Sequence, residues 1–388
     1  MNLAEWLELQ ESVHARSIDL GLERVAVVAR ALGLASPSHR TVTVAGTNGK
    51  GSTVTYLEAL FGAAGYRTGS FTSPHLLHYN ERVRVAGAQA TDGELIGAFE
   101  RIERSRGGTT LTFFEYNTLA ALLLFADARV DVAVLEVGLG GRLDATNVLD
   151  ADVGVLCSIG FDHRDWLGDT LDAIGAEKAG IFRTDRPAVL GTAQMPDSVF
   201  TAIERLRARP IVAARDFDWS VEAEHWTYRG LRATHEGLPP PALEGAIQFR
   251  NAATALAAYE ALPGSRPLDR EWIVEALRSA RLPGRFQIIR RPGKRGGEVE
   301  WILDVSHNEP AAQVLSENLR ARPVAGKTLA VSSILRDKDV EAVGRAVASV
   351  IDEWIVCAVP GPRGSTAAEL AARLAAAVQA PELAGSVT

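Results

Sequence analysis

Apolar positions along this chain fall into two rhythms. Short apolar runs bounded by glycine, proline or polar residues recur as Thr41–Ala45 (TVTVA), Asp131–Val137 (DVAVLEV), Val153–Ser158 (VGVLCS) and Ala188–Leu190. Runs of that length read as strands buried on both faces. Between them lie segments of helical character, Ser17–Leu32, Ser52–Ala64, Asn117–Ala128 and Thr170–Ala179. Strands alternating with helices predict an α/β fold with a mainly parallel sheet. No internal repeat stands out.

The rhythm breaks near residues 283–298, where Pro283 and Gly284 are followed by a stretch dense in proline, glycine and charge. Such a stretch reads as a linker or an exposed hairpin. Beyond it the alternation restarts: strand Val299–Val305, helix Pro310–Ala321, strand Leu329–Ser332, helix Val340–Val350, strand Glu353–Val359 and helix Thr366–Ala377. The expected organisation is a domain over residues 1–289, a linker over 290–298 and a smaller α/β domain over 299–388. A chain of 388 residues suits two cores better than one.

The first candidate for chemistry is the stretch Gly46–Ser52 (GTNGKGS), between a strand and a helix start. Backbone N–H groups without helical partners, together with the helix dipole, favour an anion there. Lys50 suits the β- and γ-phosphates of a nucleoside triphosphate, and Ser52 a Mg²⁺. The loop is irregular: Val44 occupies the first glycine position of the general GxxxxGK[ST] pattern, and Gly51 separates Lys50 from Ser52. An ordinary glycine-rich turn is the competing reading.

Further polar residues gather where strands end. Glu136 closes an apolar strand ahead of the turn VGLGGRLDATN, the place of a metal-binding acid in phosphoryl-transfer sites. Asp162, His163 and Asp165 follow the run Val153–Ser158, and Asp304, His307 and Asn308 cluster at the carboxyl end of Val299–Val305. Carboxyl ends of strands are where open α/β sheets place ligands. Ser73, held extended by Pro74, offers a hydroxyl. Lys178, Asn251 and Arg285 would pass for ordinary surface or helix residues on composition alone.

Composition narrows the classes. Net charge is −7, which argues against a general nucleic-acid binder. The run Leu119–Ala126 is far short of the ~20 residues of a membrane span, and the acidic N-terminus lacks a secretory n-region. Two distant cysteines, Cys157 and Cys357, suit a reduced cytoplasmic chain.

Taken in order, GTNGKGS, SPHL, LTFFEY, LEVGLGGRLDATN, SIGFDHRDWLG, EKAGIF, LPGRFQ and DVSHN resemble the bifunctional dihydrofolate synthase / folylpolyglutamate synthase family, a branch of the Mur ligase superfamily. The resemblance runs from about Ile18 to Ala368. It implies a P-loop central ATPase domain, a smaller Rossmann-like C-terminal domain, and ATP-dependent ligation of L-glutamate to dihydropteroate or a reduced folate. By the same resemblance, Thr47, Asn48, Gly49, Lys50, Gly51 and Ser52, with Asn251, Arg285 and Asp304, contact ATP. Ser73, Glu136 and His163 hold Mg²⁺, and Lys178 matches a lysine carbamylated in the family. Thr112, Phe113, Phe114 and Glu115, with Leu143, Asp144 and Ala145, match the pterin-binding segments, and the two rings suit stacking on a flat heterocycle. Lys50, His163, Lys178 and His307 are the expected catalytic residues, His307 near the glutamate and phosphate site. The family leans monomeric, and no nucleic acid or membrane partner is expected.

Two departures stand out. DVSHNEPA replaces the family's DVAHNPHA, with Glu309 in the loop, and the chain ends sooner than the pattern does, so an open, partly apolar edge is expected. Three rivals frame the reading. A cell-wall Mur ligase would carry a whole sugar-nucleotide-binding domain before the loop. A GTPase switch needs an NKxD motif, which does not occur here. The third is a truncated nucleotide-binding protein without turnover.

Overall fold

In the computed structural model, residues 1–293, 297–361 and 363–378 are described. The chain forms two compact units. The first comprises 1–159, 165–242 and 248–282; the second comprises 160–164, 243–247 and the chain from Pro283 onward.

The first unit is built on an eight-stranded sheet. Its strands are β1 (Arg40–Ala45), β2 (Thr68–Phe71), β3 (Val83–Val85), β4 (Ala88–Gln89), β5 (Val132–Glu136), β6 (Val153–Leu156), β7 (Pro187–Leu190) and β8 (Arg209–Val212), in the order β4-β3-β2-β5-β1-β6-β7-β8. From β2 to β8 the pairings are parallel, and the β3–β4 hairpin adds an antiparallel edge. The predicted mainly parallel sheet is present, and β1 and β5 are buried at nearly every position, as a strand covered on both faces must be.

The apolar run around Leu119 lies in the helix Phe113–Ala128, whose residues Glu115–Phe125 are all buried against Phe71, Phe99 and the helix Asp92–Arg106. Its first turn is closed by a capping box: Thr112 Oγ1 accepts from Glu115 N at 3.3 Å, and Glu115 Oε2 accepts from Thr112 N at 2.7 Å. The helix expected over Ser17–Leu32 begins later, at Glu23, because Ser17–Leu22 is irregular and tied by Asp19 to Arg24 and His14. A three-stranded antiparallel sheet, β9 (Asp218–Val221), β10 (Trp226–Arg229) and β11 (Thr234–Leu238), completes this unit's strands.

In the second unit, β12 (Gln287–Pro292) and β13 (Glu298–Leu303) form an antiparallel pair, while β14 (Leu329–Ser332) and β15 (Glu353–Val356) form a parallel one. Of the stretch expected as a linker over 290–298, residues 290–292 and 298 lie in these two strands and residues 294–296 lie outside the described residues; the division between units falls between Leu282 and Pro283. Helices Glu309–Arg320, Val340–Val347 and Ala367–Val378 supply a small core with Trp354, Val356, Leu370 and Leu374. Among the described residues the two pairs stay separate sheets, and Trp301, Leu329 and Val331 are exposed. No helix of the described residues is long and apolar enough to cross a membrane.

Candidate active site

The register of the large sheet brings four strand ends to one edge. Val44 of β1 pairs with Glu136 of β5, Ala45 with Leu156 of β6, and Phe71 of β2 with Leu135 of β5. The segments that follow, beginning at Gly46, Thr72, Val137 and Cys157, leave the sheet together. This is the carboxyl-end crevice where α/β sheets bind ligands.

The loop after β1 turns tightly into the helix Lys50–Ala63. Gly49 sits at φ +88°, and a Cβ there would lie 2.8 Å from Asn251 Oδ1, so glycine is required on two counts. Asn251, 3% exposed, is thereby placed directly against the loop, and its Nδ2 donates to Gln248 Oε1 at 3.1 Å. Thr47 N donates to Ser158 O (2.8 Å) and Asn48 N to Ser158 Oγ (3.2 Å), which pins the loop to the end of β6. Lys50 Nζ donates to Gly46 O (3.0 Å) and Thr47 O (3.2 Å).

Lys178 lies in the last turn of the helix Leu171–Ala179 and is 5% exposed. Its Nζ also donates to Gly46 O, at 3.1 Å. The glycine-rich turn after β5 makes that possible. Gly141 approaches so closely that a Cβ would meet Lys178 O at 2.8 Å, and Arg142 N donates to Glu177 O at 2.8 Å. A residue that sequence alone could read as a solvated helix lysine is thus buried beside the phosphate loop.

Glu136 is 4% exposed, and its Oε2 accepts from Ser73 N at 3.1 Å. A buried carboxylate held against the backbone of a serine brings two hard-oxygen residues into one neighbourhood, a type of donor that suits Mg²⁺ or Mn²⁺. Among the described residues, no group of three or more His, Cys, Asp or Glu converges on one point. A metal there would take few protein ligands and fill its shell from phosphate oxygens and water, as Mg²⁺ commonly does.

The two segments expected to bind a pterin, Thr112–Glu115 and Leu143–Ala145, lie close to one another through the turn after β5. Gly138 lies under the Phe114 ring, where a Cβ would fall 2.5 Å from Cζ, and Leu139 N donates to Asp144 Oδ2 at 2.8 Å. Both rings also have structural work: Phe114 packs on Phe71 at 5.7 Å, and the Arg82 guanidinium lies over Phe113 at 5.5 Å. Asp144 is a loop-tying carboxylate, accepting from Thr146 N (3.0 Å) and Thr146 Oγ1 (2.6 Å). Full burial pushes its pKa above the usual carboxylate range, while those hydrogen bonds pull it back. Leu143 O accepts from Gly21 N at 3.3 Å, and Ala145 is buried in the core. Glu115, 2% exposed, faces Arg24 Nη2 at 3.3 Å.

In the second unit, Asp304 organises its own turn. It accepts from Phe286 N (2.8 Å), Ser306 N (2.9 Å) and Ser306 Oγ, which also fixes the backbone beside Arg285. Asp162, in the segment 160–164 that packs with this unit, is a hub. Its Oδ1 accepts from Lys338 Nζ at 2.6 Å and His163 N at 2.9 Å. Its Oδ2 accepts from Asn308 Nδ2 at 2.9 Å and lies 3.3 Å from His307 Nε2. Burial alone would raise the Asp162 pKa; the His307 hydrogen bond and the charges of His163 and Lys338 outweigh it and hold the carboxyl far below its ordinary range. Lys338 and Arg82 escaped the sequence reading; the acidic–lysine run just before a helix, Asp337–Asp339, was the available signal for the former.

Known proteins place this arrangement. The Mur ligase middle domain pattern matches residues 44–238, and that of the Mur ligase glutamate ligase domain matches residues 284–387. The dihydrofolate synthase/folylpolyglutamate synthase of Escherichia coli (strain K12) is 45% identical over 95% of this chain and 84% of its own length. This chain belongs to the dihydrofolate synthase/folylpolyglutamate synthase family. It is an ATP-dependent amide ligase of the Mur ligase fold, which sets aside the GTPase reading. The E. coli FolC structure in complex with DHPP and ADP superposes with TM-score 0.90 at 44% identity, covering 96% of this chain and 87% of that one. A bifunctional folylpolyglutamate synthase/dihydrofolate synthase with Mn, AMPPNP and L-glutamate bound gives TM-score 0.87 at 43% identity, covering 96% and 87%.

Proposed function

We propose that this chain joins L-glutamate to dihydropteroate, and to the glutamate tail of reduced folates, through an acyl phosphate. The observation that carries the reading is the convergence of Lys50 and Lys178 on the carbonyl of Gly46, at the foot of a phosphate loop. Lys50 supplies there the positive charge that an acidic chain must concentrate to hold a polyphosphate, and Lys178 stands beside it at the same carbonyl.

Thr47, Asn48, Gly49, Gly51 and Ser52 are assigned to the β- and γ-phosphates, the N–H groups of Thr47 and Asn48 being spent on Ser158 and those that open the helix serving the anion, and Asn251 sets the loop's shape. Arg285 and Asp304 are assigned to the nucleotide. Ser73, Glu136 and His163 are assigned to Mg²⁺, which when bound supplies charge neutralisation at the phosphate oxygens. The acceptor's carboxylate attacks the γ-phosphorus in line while Lys50 stabilises the charge that builds on the equatorial oxygens. ADP leaves, the amine of glutamate attacks the activated carbonyl, and phosphate departs. Thr112–Glu115 and Leu143–Ala145 hold the pterin, and His307 serves the glutamate and phosphate end.

Lys178 is assigned as a carbamate. The two nitrogens on Gly46 O are at most about 6 Å apart, a like-charge repulsion on the order of 3 kcal/mol at an effective dielectric near 20. Lys178 first gives up its ammonium proton to water; the neutral amine then forms an N–C bond to CO₂ and releases a second proton, and the resulting carbamate anion replaces the repulsion with attraction. The two free thiols suit work in the cytoplasm.

The test is ADP release from ATP and Mg²⁺ with dihydropteroate or tetrahydrofolate, with and without glutamate. Glutamate-dependent release with a pterin acceptor is expected. Release indifferent to both would overturn the assignment, and so would near-normal turnover by Lys50→Ala.

A further inference from the structure

Arg82 is a buried cation without a counter-ion. It closes the 3₁₀ turn Tyr79–Arg82, directly before β3, and is 8% exposed. Arginine is seldom buried that far unless it is paired. Its Nε donates to His75 Nδ1 at 2.8 Å, and an imidazole brings no negative charge. Its guanidinium carbon lies over the rings of Phe113, at 5.5 Å, and Tyr79, at 5.7 Å. Ring faces offset part of the lost hydration but take up none of the N–H donors of the fork. Among the described residues, Nη1 and Nη2 have no hydrogen-bond or ion-pair partner. Neither is walled off from solvent, so a ligand can reach both.

The two carboxylates whose charge reaches Arg82, Glu136 and Glu81, are committed elsewhere. Glu81 accepts from the N–H groups of Leu76 (2.8 Å), Leu77 (2.9 Å) and His78 (2.8 Å), and Glu136 from that of Ser73. Position adds to charge. Through Phe113, Arg82 touches the segment Thr112–Glu115, assigned to the acceptor's ring system. Through His75 it touches the loop of Ser73, assigned with Glu136 to the metal. All of these residues lie in the first unit. An acid that is to be phosphorylated must bring its carboxylate between those two ends.

We propose that the unused Nη edge of Arg82 is the subsite for the acceptor's carboxylate. A guanidinium fork matches the two oxygens of a carboxylate, and a site poor in water strengthens the pair. A phosphate would suit the same fork, but the phosphate loop has its own cation in Lys50, whereas Phe113 belongs with the acceptor. Arg82 is thus a substrate-binding residue that aligns the acid for phosphoryl transfer and tells it from a neutral amide. The identity of the acid rests on the ligase reading; the anion site itself does not.

The experiment titrates the whole chain, as wild type, Arg82→Lys and Arg82→Gln, with dihydropteroate and with its carboxamide, which keeps the rings and loses the charge. Wild type is expected to bind the acid about tenfold or more tighter than the amide, the scale of a charge-assisted hydrogen-bond pair. Each variant is expected to lose about tenfold or more for the acid, while affinities for the amide and for ADP stay within about twofold. In turnover, KM for the acceptor should rise and KM for ATP should not. A merely structural arginine would weaken acid and amide alike. That result overturns the proposal, as does a wild type that does not distinguish acid from amide, or a loss confined to the nucleotide. Arg82→Lys keeps the buried charge and decides the matter should Arg82→Gln fail to fold. Should the wild type show no glutamate-dependent ADP release, the ligase reading fails. Benzoate against benzamide, read on the ¹⁵N resonance of Arg82 Nε assigned by its loss in Arg82→Lys, then decides the anion site: a shift with benzoate alone supports it, and no shift, or the same shift with both, overturns it.

Discussion

Lys50 and Lys178, from two different helices, donate to the same carbonyl oxygen, that of Gly46. The arrangement gives the proposed carbamylation a physical motive. Bicarbonate-treated protein should carry one CO₂ on the peptide containing Lys178, lost on acidification, in mass spectra. Lys178→Arg keeps a donor for Gly46 but cannot be carbamylated, and should be nearly inactive while still binding ADP. Full activity of that variant would sink the carbamate.

Gly49→Ala tests the loop. The added methyl meets Asn251 Oδ1 at 2.8 Å at a backbone φ of +88°. Strain of about 1–3 kcal/mol at such a site corresponds to about fivefold to 150-fold weaker nucleotide binding. Calorimetric titration with ADP measures it; an affinity within about twofold of wild type would count against the loop's assigned role.

How legible was this in the sequence? The strands that build the sheet's centre were, because β1, β5 and β6 are continuous apolar runs buried on both faces. The strands β9–β11 were not. Only β10 alternates, burying Trp226 against Phe249 and Tyr228 against Glu260 of the helix Ile247–Ala261, while β9 leaves Val221 exposed and β11 buries only Leu238. At the site, the motifs were readable but the geometry was not. Lys178 looks like any helix lysine until Gly141 lets the turn close on it, and Lys338 acquires meaning only through Asp162, far away in sequence. Phe113 and Phe114 suit stacking by residue type; that Arg82 lies over the first and Phe71 packs on the second shows only in the structure.

Arg24 should matter to stability. Glu115 is 2% exposed and faces Arg24 at 3.3 Å, and Arg24 is itself about a quarter exposed. Removing the guanidinium in Arg24→Met leaves a buried carboxylate that keeps only its capping bonds, at a cost of about 2 kcal/mol. The double variant with Glu115→Gln should recover part of the loss. Urea unfolding of the four proteins reads the coupling, and strict additivity would refute it.

His39, 8% exposed beside the start of β1, has its pKa lowered from 6.5, mainly by burial, with the Arg40 carbonyl and Asp152 opposing. A base whose folded pKa is depressed contributes stability that is complete above about 6.5 and is lost as pH falls below it, because the unfolded chain takes up the proton first. Melting temperature should therefore fall between about pH 6.5 and pH 5, and His39→Gln should flatten part of that slope. An identical slope in the variant would remove His39 from the account.

β1 lies between β5 and β6, with Val44 opposite Glu136 and Ala45 opposite Leu156. The spacing between the phosphate loop, the acid and the strand-end loop is therefore ruled by main-chain hydrogen bonds, about 4.8 Å from strand to strand. That ruler is indifferent to side chains. Changes at the segments proposed to face the acceptor, Thr112–Glu115 and Leu143–Ala145, leave that main-chain ruler in place, which makes this scaffold a natural starting point for new amide ligases.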